Sequence, residues 1–326
     1  MSTSRRIIID ADPGVDDALA LLLAIHAPQL DIQAVTVVSG NVPLSTGTQN
    51  ALDVLAFAGA EGIPVYQGAD RPLVREPVHA REVHGARGLG AASLPASIRQ
   101  ARAGAVDYLV AQLGEGMTVV ALGPLTNLAL AERDQPGLLK RAKEIVVMGG
   151  AVLEPGNASP TAEYNFFADP HAAREVLASG ANLTLVPLDV THQIGMTAEE
   201  IEGLSGSGAV ERVRFFQQAS SIIVEHGRAT GGFAGIHLHD PVAVGWVLAQ
   251  ELFETGLFWM DVETDGTLTS GQVVVDRDQR TSVKHIYAVG DVCNNDNLTP
   301  VAIKEGHLLV NRLFNQQSEY PEYDHI

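Results

Sequence analysis

Short, continuous apolar segments alternate with helical patterns along most of the chain. Ile7-Ile8-Ile9 is followed by a predicted helix from about Asp16 to His26, and Ile32 to Val38 is followed by one from Thr46 to Phe57. Further apolar segments are Met117 to Leu122, Ile145 to Met148 and Leu183 to Pro187. Strands buried on both faces are continuously apolar, and the helices between them connect parallel neighbours. The sequence therefore predicts an α/β fold with an open, mostly parallel sheet, mixed at its edge and flanked by helices.

The charge balance limits the partners of the chain. It carries 21 basic and 39 acidic side chains, a net charge of −18, which repels nucleic acid and anionic membranes.

The longest apolar stretch, Ala18 to Ile25, is shorter than the roughly 20 residues that span a bilayer. The polar start Met1 to Arg6 does not resemble a signal peptide, so we expect a cytoplasmic protein. Cys293 is the only cysteine, which excludes an intrachain disulfide. Without a repeat or linker, residues 1–326 are expected to form a single domain.

Four aspartates, Asp10, Asp12, Asp16 and Asp17, follow the first predicted strand within eight residues. In open α/β sheets, ligands bind beyond the carboxyl ends of the strands. Acidic residues at a helix start also cap free N–H groups, which would explain one or two of them. Four converging carboxylates repel one another, and oxygen ligands without nearby Cys or His favour Ca²⁺ or Mg²⁺. Phosphatases with an aspartyl nucleophile also begin with Asp-x-Asp, although they usually have Thr or Val where Pro13-Gly14 stand here.

The segment from Asp10 to Asp17 resembles the N-terminal signature of the inosine-uridine-preferring nucleoside hydrolases. Similar segments follow in the family's order at Ser39-Gly40-Asn41, Val83-His84-Gly85, Gly123-Pro124-Leu125-Thr126-Asn127, Val147-Met148-Gly149-Gly150, Glu163 to Pro170 and Leu238-His239-Asp240-Pro241. The resemblance covers roughly residues 5 to 276. It implies a Rossmann-like nucleoside hydrolase fold and Ca²⁺-dependent hydrolysis of the N-glycosidic bond of ribonucleosides to ribose and free base. It also implies self-association as a homodimer or homotetramer.

The resemblance further implies a role for each matching residue. The calcium ligands would be Asp12, Asp17, the main-chain carbonyl of Thr126, and Asp240. Asp12 would also be the general base for the attacking water, and His239 would protonate the leaving base. The ribose and base contacts would be Asp16, Asn41, His84, Met148, Asn157, Glu163 and Asn165.

Several of these residues have ordinary structural explanations as well. Asp16 could cap a helix, and the Thr126 side chain is explained by N-capping of the helix after Pro124. Asp10 is expected to support the loop rather than bind a ligand. Three other histidines, His79, His226 and His237, are interpreted as surface or loop residues.

Two departures from the family pattern leave the base preference open. Arg87 stands where the family usually has an acidic or small residue, and the segment from Ser220 to Leu238 contains no tyrosine. The purine-specific group holds the base between tryptophans, whereas this chain has only Trp246 and Trp259. His239 favours a pyrimidine or a mixed inosine and uridine preference.

The last part of the chain, residues 281–326, is atypical for the family. Thr281 to Cys293, continuing through Leu298 to Ile303 and on to Phe314, resembles the FAD-contact segment of glutathione-reductase-like flavoenzymes, in which Asp291 would contact the flavin ribitol. No Gly-x-Gly-x-x-Gly occurs, and a single cysteine cannot form a redox pair. A terminal strand from His285 to Val289 and a helix from Val301 to Phe314 are therefore favoured over a flavin site.

Three functions compete at this point. The favoured one is the nucleoside hydrolase, whose substrate is a small ribonucleoside. The second is a Mg²⁺-dependent phosphatase that forms an aspartyl phosphate. The third is an inactive nucleoside- or ribose-binding protein.

Overall fold

The computed structural model describes residues 4–274 except 115, 206–208, 231 and 257–259. Seven strands form one sheet in the order β4-β3-β2-β1-β5-β6-β7, and every pairing in it is parallel. Its strands are β1 (Arg5–Ala11), β2 (Leu30–Val37), β3 (Val65–Gln67), β4 (Arg102–Ala103), β5 (Thr118–Ala121), β6 (Glu144–Met148) and β7 (Leu183–Val186). Two separate antiparallel pairs consist of β8 (Gly195–Thr197) with β9 (Gly235–His237) and β10 (Asp261–Val262) with β11 (Val273–Val274).

Helices connect the strands and cover both faces of the sheet. They are α1 (Val15–Ile25), α2 (Leu44–Phe57), α3 (Arg81–His84), α4 (Ala105–Gln112), α5 (Thr126–Asp134), α6 (Tyr164–Ala168), α7 (Pro170–Ala178), α8 (Leu188–Thr191), α9 (Ala198–Glu202), α10 (Val210–Thr230) and α11 (His239–Leu248). Two short 3₁₀ turns span Leu139–Arg141 and Gln250–Leu252. The predicted α/β fold and parallel sheet are confirmed. Antiparallel pairing in the described ranges lies in the two small sheets and not at an edge of the large one.

The first strand shows how the core is divided. Side chains alternate across a strand, so Ile7 and Ile9 join the apolar cluster with α1, α2, α10 and α11, whereas Ile8 joins the cluster with α4, α5 and α7. All three isoleucines are completely buried. Each contributes about 1.5–3 kcal/mol of hydrophobic stabilisation. The sheet is therefore covered on both faces, as its continuously apolar strands predict.

The strand order creates a crevice beside β1. The chain runs from β1 through β2 and β3 to β4 on one side, and then returns to β5 on the other side of β1. Because all seven strands are parallel, their carboxyl ends share one edge, and ligands bind where the direction of winding reverses. Helix α1 packs against α11, so the N-termini of both helices lie at this edge.

Some expectations fall outside the described residues. Trp259, Cys293 and the whole tail 281–326 belong to this group, including its predicted strand and helix and the flavoenzyme-like segment with Asp291. Within the described ranges, no helix has the length and apolar character needed to cross a bilayer.

Candidate active site

A cavity of about 460 Å³ opens at the carboxyl edge of the sheet. Nine of the predicted site residues line it: Asp16, Asn41, His84, Met148, Asn157, Glu163, Asn165, His239 and Asp240. Asp12, Asp17 and Thr126 are buried directly beneath this edge. The structure therefore gathers residues from seven separate parts of the chain at one place.

Acidic side chains from α1 and α11 meet at the floor of the cavity. Asp16, Asp17 and Asp240 each offer a carboxylate oxygen, and these three oxygens lie within 4.8 Å of one another. This group differs from the predicted metal set because it contains Asp16, which was assigned to ribose, and does not contain Asp12. Asp12 adjoins the group, since its N–H donates to Asp17 Oδ1 at 3.1 Å.

The Asp12 carboxylate has one satisfied oxygen and one free oxygen. Its Oδ2 accepts the N–H of Asn41 at 2.6 Å, whereas the buried Oδ1 has no hydrogen-bond partner in the described residues. Gly40 and Gly123 flank the carboxylate closely. A Cβ atom on Gly40 would lie 2.0 Å from Asp12 Oδ2, and one on Gly123 would lie 2.6 Å from Oδ1. The two glycines of the predicted strand-end segments are therefore needed to admit this side chain.

The electrostatics of the floor favour a cation. Burial, followed by the charge of Asp17, raises the pKa of Asp12 well above its usual value. Burial, followed by the charge of Asp16, raises the pKa of Asp17 to about 7 and that of Asp240 well above its usual value. No ion pair in the described part of the chain joins these carboxylates to Lys or Arg. Oxygen-only donors with unpartnered buried atoms fit a hard divalent cation.

Asp17 both stabilises the start of α1 and belongs to the acidic group, the two roles that the sequence left open for these aspartates. Its Oδ2 accepts the N–H of Gly14 at 2.9 Å and the Asn41 amide at 3.2 Å, so it organises the turn before α1 while facing the acidic group. Asp10 supports the same region from below. It accepts hydrogen bonds from Thr36 and Asn127, and burial raises its pKa to about 6.

The expected N-capping by Thr126 is wrong. Leu125 occupies the N-cap position of α5, and the Thr126 hydroxyl instead donates to Asp169 Oδ2 at 2.7 Å. Asp169 also caps α7 by accepting the N–H of Ala172 at 3.0 Å. The Thr126 hydroxyl therefore links the start of α5 to the start of α7 through Asp169.

Glu163 and Asn165 lie on a helix start that the sequence did not predict. Glu163 is the N-cap of α6, and its carboxylate accepts the N–H groups of Asn165, Phe166 and Gly150. Burial still raises the Glu163 pKa to about 7. The Asn165 amide donates to the carbonyls of Leu122 and Met148 at 2.7 and 3.1 Å. Both side chains are thereby held rigidly at the cavity wall.

Asn157 lies at the exposed rim of the cavity. Its Oδ1 accepts the N–H of Tyr164 at 2.9 Å, and within the described residues its amide nitrogen has no hydrogen-bond partner. Tyr164 in turn donates its hydroxyl to the Val78 carbonyl at 2.7 Å. This contact joins the segment carrying Glu163 and Asn165 to the loop that precedes His84.

Two histidines of the predicted site, one at the end of α3 and one at the start of α11, line the cavity. His84 Nδ1 accepts the N–H of Val15 at 3.1 Å, and it lies 3.9 Å from Asp16 Oδ1. Burial lowers the pKa of His84 and lowers that of His239 to about 4. Both imidazoles are therefore neutral at neutral pH and can act as hydrogen-bond donors through one nitrogen.

His79 lies in a loop and His226 is exposed on α10, as expected, although both also line the cavity. The interpretation as a surface or loop residue is wrong for His237, which lines the cavity from a strand. His237 lies on β9, and its ring centroid is 4.5 Å from that of Phe233 and 4.8 Å from that of His192. His192 and Phe233 were not singled out from the sequence. His192 is the C-cap of α8, which separates it from the end of β7, so the strand-end rule that selected Asp12 does not reach it. Phe233 carries no such signal, because its place depends on how α10 and β9 pack.

Known proteins resemble the chain over most of its length. The family described as inosine-uridine preferring nucleoside hydrolase matches residues 7–299. The pyrimidine-specific ribonucleoside hydrolase RihA of Photobacterium profundum is 40% identical over 288 residues, which is 85% of this chain and 91% of that protein. RihA of Citrobacter koseri is 38% identical over 274 residues, covering 83% and 88% of the two chains.

Solved structures agree with the sequence comparison. A plant nucleoside hydrolase, PpNRh1, superposes with a TM-score of 0.79 at 34% identity and covers 95% of this chain and 98% of its own. A purine-preferring ribonucleoside hydrolase from Gardnerella vaginalis gives 0.77 at 30% identity, over 83% and 88% of the two chains. The family match extends into the flavoenzyme-like segment, so that resemblance gains no support. The chain belongs to the inosine-uridine preferring nucleoside hydrolase family.

Proposed function

We propose that the chain hydrolyses the N-glycosidic bond of ribonucleosides, with Ca²⁺ held by Asp12, Asp17, the Thr126 carbonyl and Asp240. The observation that carries the proposal is the buried acidic floor. Its free Asp12 Oδ1 and its lack of a Lys or Arg partner in the described residues call for a cation, and a cavity of about 460 Å³ lies directly above it. When bound, calcium would orient the sugar hydroxyls and lower the pKa of a water molecule.

The residues around the cation site act as general base, stabilise charge on the ribosyl ring and hold the ribose. Asp12 accepts the proton of the attacking water at its free Oδ1, because its Oδ2 is already occupied by Asn41 N–H. Cleavage builds positive charge on the ribosyl ring, and the acidic floor stabilises that charge. Ribose is held by a ring of polar and apolar side chains: Asp16, Asn41, Met148, Asn157, Glu163 and Asn165.

We place the leaving base beside His239 and His84. We assign the assistance of its departure to His239, whose neutral imidazole donates an N–H hydrogen bond to the base, with His84 as a second donor. His192, His237 and Phe233 offer aromatic faces on which a flat base can stack. Because two RihA relatives are named as pyrimidine-specific, we propose a pyrimidine or mixed inosine and uridine preference.

The first test compares natural nucleosides with an activated substrate. Uridine, cytidine and inosine are expected to release ribose with the wild-type protein. A His239→Ala variant should lose about 10²- to 10³-fold in kcat on uridine, because general acid catalysis contributes on this scale. It should stay within about threefold on p-nitrophenyl riboside, whose leaving group needs no proton.

His26→Ala is the matched control, because His26 is exposed at the end of α1 and does not line the cavity. It should leave both substrates unaffected. Equal losses on uridine and p-nitrophenyl riboside in the His239→Ala variant would show that His239 does not assist departure of the base. A wild-type protein that releases ribose from none of the nucleosides would contradict the proposed function itself.

A second prediction concerns the fit of Asp12 between its glycines. Gly123→Ala would place a methyl group 2.6 Å from Asp12 Oδ1, so the carboxylate must move. A displacement of about 1 Å in a catalytic group costs on the order of 100-fold, and we expect kcat on uridine to fall by about that factor. Gly62→Ala is the control, since a Cβ there meets nothing within 4 Å. Unchanged turnover in Gly123→Ala would show that Asp12 does not act from this position.

The proposal extends to the organisation of the protein. We propose one domain over residues 1–326, a homodimer or homotetramer, and a cytoplasmic location. Size-exclusion chromatography with light scattering checks the oligomer, because a monomer would elute with the chain mass of 34.5 kDa.

A further inference from the structure

A buried threonine is hydrogen-bonded to the histidine on the base side of the cavity. Thr191 ends α8, directly after β7, and its side chain is completely buried. Its Oγ1 lies 2.7 Å from Nδ1 of His239, which belongs to α11. Among the described residues, this is the only hydrogen bond of the Thr191 hydroxyl.

The acceptors available to the Thr191 hydroxyl indicate the direction of its hydrogen bond with His239. A hydroxyl carries one proton, and a buried O–H without an acceptor is costly by about 1–3 kcal/mol. The only acceptor in reach of Thr191 Oγ1 within the described residues is Nδ1 of His239. Thr191 is therefore assigned the donor role, and with Thr191 as donor the imidazole proton of His239 resides on Nε2.

The other nitrogen of His239 faces the cavity. His239 lines it, and in the described part of the chain Nε2 has no hydrogen-bond partner. The rings of His192 and His237 lie beside it, with centroids 5.7 and 5.8 Å away. Rotation of the imidazole is thus limited by these rings on one side and by the Thr191 hydrogen bond on the other.

We propose that Thr191 is a positioning residue that keeps the proton of His239 on Nε2, from which the N–H can donate a hydrogen bond to the leaving base. This inference rests on the proposed function, because it needs His239 to assist departure of the base. The step balances without moving that proton: the glycosidic bond breaks with its electron pair going to the base, the neutral imidazole donates an Nε2–H hydrogen bond to the negative charge that develops there, and the departing base takes its proton from water. Thr191 itself touches neither the base nor the sugar.

The kinetic test uses two substitutions of one side chain. Thr191→Val keeps the shape and removes the hydroxyl, and kcat on uridine is expected to fall about 10- to 100-fold, a part of the full general-acid effect. Thr191→Ser should recover kcat to within about threefold of wild type, since it restores the donor. On p-nitrophenyl riboside both variants should match wild type within about threefold, because no base needs a proton.

Thr184→Val is the matched control. Thr184 lies on β7 and does not line the cavity, and its hydroxyl donates to Glu144 at 2.7 Å. It should leave the ratio of uridine to p-nitrophenyl riboside turnover unchanged. A Thr191→Val variant that loses activity equally on both substrates would overturn the positioning role and indicate a general packing defect.

The tautomer itself can be observed without turnover. Two-bond ¹H–¹⁵N correlation spectra of ¹⁵N-histidine-labelled wild-type protein should show His239, assigned by its loss in His239→Ala, as the Nε2–H form. Thr191→Val should populate the Nδ1–H form, and Thr191→Ser should not. An Nδ1–H signal in wild type would overturn the inference even if nucleosides are hydrolysed. Absence of nucleoside hydrolysis by wild type would instead contradict the proposed function, and the spectrum would still decide the direction of the hydrogen bond.

Discussion

Asp12→Ala is expected to lower kcat on uridine by about 10⁴-fold, the largest effect of any single substitution in the chain. A general base contributes about 10²–10⁴-fold, and the same change removes a proposed calcium ligand. The buried Oδ1 has no partner among the described residues, so no other group holds its place. Release of ribose from uridine at saturating Ca²⁺ measures the effect.

The control for Asp12 is another buried aspartate. Asp53 lies on α2 outside the cavity and accepts hydrogen bonds from Gln49 and from Ser97 N–H, so Asp53→Asn perturbs a comparable polar site. It should retain nearly normal turnover once folded. An Asp12→Ala protein with more than a tenth of wild-type turnover would contradict both roles of Asp12.

Removal of calcium should abolish activity and lower the melting temperature. A ligand present at 100 times its Kd stabilises the folded state by about 2.7 kcal/mol. For a chain of this length, that corresponds to a decrease in Tm of about 4 °C when EGTA removes the ion. Ribose release and differential scanning calorimetry, with and without EGTA, check the two parts. Full activity in EGTA would exclude calcium from the mechanism.

The calcium effect should also depend on pH. Burial raises the pKa of Asp17 to about 7, so this group binds a proton more readily in the folded protein than in the unfolded chain. Its ionisation without a cation therefore destabilises the fold as the pH rises from about 4 through 7. Calcium removes that penalty by binding the ionised form, and the rise in Tm on adding calcium should be larger at pH 8 than at pH 5.5.

Calcium titration separates the two possible acidic sets. We expect Asp17→Asn to weaken calcium binding at least tenfold, because it removes a charged ligand. Asp16→Asn should change calcium affinity by less than about threefold while raising KM for uridine, as a ribose contact would. A large loss of affinity in Asp16→Asn would instead assign this residue, which shares the group with Asp17 and Asp240, to the metal.

Local patterns predicted the elements and the edge at which the site forms. The apolar run Ile7-Ile8-Ile9 and the glycine and proline turns after it determine β1 and the start of α1, because strand and helix periodicity depends on neighbouring residues. A parallel sheet then brings every strand end to one edge. From this rule alone, Asp12, Asn41 and Met148 could be expected to meet.

Those local patterns could not predict contacts between distant segments of the chain. Glu163 gave no local sign that it caps α6, and Thr126 gave none that its hydroxyl reaches Asp169, 43 positions later. The inward position of His237 was missed for the same reason, since it depends on the pairing of β9 with β8.

The sequence by itself determined the α/β architecture, the acidic cluster after the first strand and the family. The tertiary structure decided which acidic oxygens lie together, which histidines face the cavity, and that Thr191 holds His239. The physical reason is one of range. Backbone periodicity and turn chemistry act over a few residues, whereas the direction of a buried hydrogen bond depends on two helices whose packing brings residues 48 positions apart to 2.7 Å.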